Sequence, residues 1–180
     1  MARRWRRRLR RGAMYTVVTA LLSGMTFGVR AEGDREPEGS PRVRSSIPRI
    51  VALLSEASMR STTFRGLVSS IERTDGIVYV ESGRCRHGVR ACLSLVITAG
   101  GGYRILRVLV DVAADVLELM ATIAHELRHA LEILTEPAVR TTEQAYMFYA
   151  REAATSRDVF ETPAAIKAGL AVERELAARR

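Results

Sequence analysis

Between residues 112 and 134 the chain runs without a Pro or a Gly and is rich in Ala, Leu and Glu, all good helix formers. Val116, Leu119, Met120, Ile123, Leu127, Leu131 and Leu134 recur there at steps of three and four. That spacing predicts a long helix with one buried stripe, and the rest of the fold has to be built against it. The same stretch carries two of the chain's three histidines, His125 and His129, four residues apart. Side chains at that spacing project from one helix face, so both imidazoles can reach a single metal ion. They sit toward one border of the apolar stripe, where Ala121 and Ala124 leave room for a cleft. Glu126 follows the first histidine and can reach a water at such a metal, where a general base is needed. The plain alternative is a pair of ordinary polar residues on an amphipathic helix, with Glu126 solvated. The helical setting and the scarcity of histidine weigh against it.

The formal charge of +8 invites a nucleic-acid reading, but its distribution removes it. Residues 1–31 hold eight Arg and no acid, which leaves 20 basic and 20 acidic residues in 32–180. No basic stripe interleaved with aromatics remains to follow a phosphate backbone, so nucleic acid is not an expected partner. The N-terminal segment instead reads as an export signal. Arg3 to Arg11 form a positive region, 13–29 a mostly apolar one, and Val29-Arg30-Ala31 a small-residue cleavage site. An uncleaved anchor is the alternative, and would be the chain's one contact with a membrane. Gly24, Gly28 and polar residues make that segment marginal as a span.

Residues 32–46, with Gly33, Pro37, Gly39 and Pro41, read as a flexible linker, and 47–180 as one folded domain. Apolar residues at helical spacing predict helices over 48–59 and 62–73, with Pro48 suited to a first turn. The period then falls to two, predicting strands at 77–81, 91–98 and 103–110, the last two joined through Gly100-Gly101-Gly102. Helical stretches follow over 141–154 and, from an N-cap at Thr162 with Pro163 behind it, over 162–178. The expected fold is α+β, a small antiparallel three-stranded sheet packed with helices.

Cys85 and Cys92 flank the loop between the first two strands, and in an exported chain such a pair predicts a disulfide. Metal ligation by Cys85, His87 and Cys92 is the weaker reading, because it lacks a tight C-x-x-C pair.

His125-Glu126-Leu127-Arg128-His129 has the H-E-x-x-H form, and the run 77–134 resembles the zincin metallopeptidases, in which a small sheet lies beside that helix. The metzincin extension would need Gly at 132 and His at 135, where this chain has Glu132 and Thr135. The remaining resemblance is to the gluzincin arrangement, which implies one Zn²⁺ completed by a Glu from a downstream helix. Glu161 is the preferred third ligand. The segment 160–172 around it is similar to the tail of small exported bacterial H-E-x-x-H proteins. Glu152 stays open as an alternative, and Glu132 fits better as a partner that orients an imidazole. The resemblance further implies a secreted or periplasmic peptidase acting on a peptide or protein, with Glu126 as general base and Tyr146 or Tyr149 as candidate oxyanion donors. Two other readings stand beside it: a non-catalytic zinc-stabilised binding domain, and a helical envelope module with a coincidental motif. The sequence does not fix the oligomeric state.

Overall fold

The computed structural model describes residues 39–152 and 160–178. The predicted signal at 1–31, the linker up to residue 38 and the end of the helix expected over 141–154 lie outside them. The described chain folds as β1 (Val43–Arg44), α1 (Pro48–Arg60), α2 (Thr62–Ile71), β2 (Gly76–Ser82), β3 (Ala91–Gly100), β4 (Tyr103–Val110), α3 (Val116–Thr135), α4 (Thr142–Glu152) and α5 (Pro163–Ala177). No helix among the described residues is long and apolar enough to cross a membrane.

The α+β class stands, but the sheet corrects the expectation of three antiparallel strands. It has four strands in the order β1-β2-β4-β3. Only β3 and β4 are antiparallel, and β2 runs parallel to both β1 and β4. Strand composition explains the order. β4 alternates buried and half-buried residues along its whole length, as suits a strand paired on both sides, while Cys92, Ser94 and Thr98 fit β3 for an edge. The chain leaving β2 therefore steps past the end of β4 before turning into β3. The Cys85–Cys92 disulfide pins that step, and the Gly83 N–H bonds Val110 O at 3.0 Å across it. β1 is the second correction, because Val43 and Arg44 fall within the predicted linker yet pair with Val78 and Tyr79. Val43 is buried, so this part of the linker belongs to the core.

The β3–β4 hairpin turns through Gly101 and Gly102, both at positive φ (58° and 86°), the backbone that a two-residue turn of this hand requires. Between Ser94 and Thr98 the β3 register slips, which the sequence pattern did not reveal. The slip turns the Ile97 N–H toward Thr142 Oγ1 (3.3 Å), tying the edge strand to the start of α4.

Val78, Val80, Leu106 and Val108 on one sheet face share a continuous core with Leu119, Ile123, Leu127 and Leu131 of α3. Val116, expected in the stripe, is instead 38% exposed at the first helical position. Asp115 ahead of it caps α3, accepting from the Leu117 and Glu118 N–H groups. The other end of α3 is held by Arg104 of β4, which is almost fully buried. Its guanidinium donates to the carbonyls of Ile133, Leu134, Glu136 and Val139 and to Asp75. A cation there meets the negative end of the helix dipole as well as its unpaired carbonyls. Both ends of the histidine-bearing helix are thus fixed.

Candidate metal centre

His125 and His129 lie on the α3 face turned to α5 and to the edge of β3. One helical turn separates them, and their Nε2 atoms approach to 3.2 Å. Glu161 comes from the residues leading into α5, and its Oε2 lies 3.1 Å from His125 Nε2. One donor atom from each of the three residues falls within 4.8 Å of the other two, so the group could hold a metal ion. Glu152, the open alternative, ends α4, and its side chain lies outside the described residues, as does that of His87.

Glu161 is aimed from both sides. Before it, Phe160 stacks on Tyr149 (ring centroids 5.7 Å apart, 24° between planes) and meets Tyr146 edge-on. After it, Thr162 caps α5, its hydroxyl accepting from the Ala165 N–H at 3.1 Å. Behind the histidines, α5 packs closely on α3. A Cβ at Gly169 would stand 3.4 Å from both His125 Cβ and the Ala121 carbonyl oxygen, ordinary van der Waals contact that leaves little spare room between the helices.

The His129 imidazole is oriented by a carboxylate. Glu132 Oε2 lies 3.2 Å from His129 Nδ1; a proton there leaves the Nε2 lone pair facing His125 and Glu161. Burial, and then the nearby His129, hold the His125 imidazole below its ordinary pKa, against the pull of Glu161 and Glu132. Burial alone would raise Glu132, but hydrogen bonds from His129 and Thr162 and the charges of His129 and Arg128 bring its carboxyl below the usual range. Two imidazole nitrogens and a carboxylate oxygen thus converge on one small volume, an arrangement that a bound cation would complete. Glu161 Oε2 is buried and, apart from His125 Nε2 at 3.1 Å, has no partner among the described residues. A buried carboxylate oxygen normally costs free energy unless it is paired, and a metal ion would pair it.

Glu126 sits beside this group on α3, buried, and accepts from the Leu93 N–H of β3 at 2.7 Å. Burial pushes its carboxyl up to about 7, with Glu161 adding to the rise and His129 and the Leu93 N–H opposing it. Of the two tyrosines, Tyr149 is committed elsewhere. It is buried, and its hydroxyl donates to the His129 carbonyl at 2.7 Å. Burial and the charges of Glu132 and Glu126 push that phenol far above its ordinary pKa. Tyr146 is half exposed and lines the cleft.

The three donor residues line a cleft of about 1540 Å³ between β3, α3 and α5. Sequence spacing missed two of its contacts, the Leu93 N–H on Glu126 and the Thr162 hydroxyl on Glu132. Both join residues 30 or more positions apart, beyond any local pattern. Comparisons with protein-family models, with curated proteins and with solved structures found no match. The function has to be read from the site.

Proposed function

We propose that the chain is an exported zinc-dependent hydrolase that cleaves peptide bonds. The observation that carries the reading is the convergence of His125, His129 and Glu161 donor atoms within 4.8 Å in a cleft, with Glu126 beside them. Two imidazoles and a carboxylate are a donor set that zinc accepts, and His125, His129 and Glu161 would hold it. When bound, the ion supplies a Lewis acid that makes water more acidic and polarises a carbonyl. Glu126 takes a proton from the attacking water and passes it to the leaving amine, a role that needs a pKa near the working pH. The Leu93 N–H fixes one of its oxygens and so its direction. Tyr146, half exposed on the cleft wall, is the candidate donor to a developing oxyanion. Leu93 and Val96 of β3 and Ile166 and Leu170 of α5 line the cleft, apolar walls that suit a peptide better than a small polar substrate.

A zinc-stabilised binding domain is the second reading, favoured by the depth at which Glu126 is buried and tied to β3. Glu126→Gln separates the two. Hydrolysis of a mixed peptide library should fall by about 10² to 10⁴ while zinc content holds. A library left intact by the zinc-loaded wild type would favour the binding domain. The disulfide is in keeping with an exported chain.

A further inference from the structure

We infer that Thr162 is a positioning residue that latches the third ligand to the histidine helix and sets the proton on His129. Its hydroxyl lies within hydrogen-bond distance of two partners and satisfies both. It donates to Glu132 Oε1 at 2.8 Å and accepts from the Ala165 N–H at 3.1 Å. A hydroxyl has one proton, so Glu132 receives it and the α5 N-terminus supplies the other bond. The second Glu132 oxygen faces His129 Nδ1 at 3.2 Å, and a carboxylate can only accept there, which keeps the His129 proton on Nδ1 and the lone pair on Nε2. An unbroken path thus runs from Thr162, the residue after Glu161, through Glu132 to His129. Thr162 and His129 are buried, and the Glu132 side chain is only 10% exposed, so water does not replace these bonds easily. Arg128 lies 3.4 Å from the Glu132 oxygen that Thr162 bonds, steadying the carboxylate from the outer side.

The consequence is coupling between ligands that come from two helices. With the latch closed, moving the start of α5 displaces Glu161 and, through Glu132, turns the His129 ring. Phe160 restrains the same segment by packing, but it carries no proton and cannot select a tautomer. The latch rests on the metal reading of this site, and its test separates the two.

Cobalt(II) serves as the probe, because its visible absorption reports ligand geometry while chelator competition gives affinity. Thr162→Val removes both hydroxyl bonds, whereas Thr162→Ser keeps them. Glu132→Ala keeps the Thr162 cap on α5 but removes the acceptor of its proton. Cobalt affinity should fall about tenfold or more in Thr162→Val and Glu132→Ala, with an altered spectrum, and stay within about twofold in Thr162→Ser. Adding Glu132→Ala to Thr162→Val should cost little beyond the larger single loss, as expected for two members of one path, whereas a loss that came from the cap alone would be independent of Glu132 and multiply. Wild-type affinity and spectrum in Thr162→Val, or fully multiplicative losses in the double variant, would overturn the latch while leaving the metal site standing. A wild-type protein that binds no cobalt or zinc would overturn both.

Discussion

At Glu126, burial and Glu161 push the carboxyl up to about 7 while His129 and the Leu93 N–H pull it down. The folded protein therefore holds this proton more tightly than the unfolded chain does, whose value lies near 4.5. The stability this group contributes is full below 4.5 and is lost as pH rises through about 7. Glu126→Gln keeps an acceptor for Leu93 and carries no charge. In metal-free protein it should raise the melting temperature at pH 8 by several degrees, a gain of up to roughly 3 kcal/mol, and leave it unchanged at pH 4. Thermal melts in chelator at the two pH values check this; equal shifts at both would contradict it. A bound dication nearby can only lower the Glu126 value. The rise of kcat/KM with pH in the zinc-loaded enzyme should then have its midpoint at or below about 7. A midpoint well above that would assign the limb to another group.

At the scale of elements, the site depends on where α3 is held. Arg104 fixes its C-terminal end, so Arg104→Leu should destabilise the fold by about 3 kcal/mol or more, leaving four carbonyls and Asp75 without their cation. Chemical denaturation measures the loss, and a change under 1 kcal/mol would mean that water replaces the guanidinium. Asp75 reports on the same contact. Burial acts to raise its carboxyl, but the Arg104 hydrogen bond and charge, with Arg140, hold it below its ordinary value. Gly76 opens β2 beneath α3, and a Cβ there would fall 2.3–2.8 Å from the end of the Leu134 side chain. Gly76→Ala should cost about 1 to 3 kcal/mol through overpacking. Helices and the β3–β4 hairpin were readable because their periods and turn residues are local. Strand order was not, since nothing in 77–81 says whether it lies beside β3 or β4. β1 was hidden because two residues are too short for a period.

For the molecule as a whole, the Cys85–Cys92 bond closes a short loop and should contribute about 2.5 kcal/mol by the loop-entropy account. Replacing both cysteines by Ser should lower the melting temperature accordingly and leave zinc stoichiometry unchanged. Intact-mass measurement on protein from its native host should show loss of residues near 1–31 and no free thiol. The candidate site was half legible. His125, Glu126 and His129 are one motif on one helix, and helical geometry brings the imidazoles together. Glu161 is 32 residues further on, and only the fold brings its carboxylate within reach. The central claim is that these residues hold one zinc ion, and native mass spectrometry of the purified protein tests it directly. One zinc per chain is predicted for the wild type and for Glu126→Gln, with sharp loss in His125→Ala, His129→Ala and Glu161→Ala. No zinc in the wild type, or equal zinc in all of them, would contradict the account.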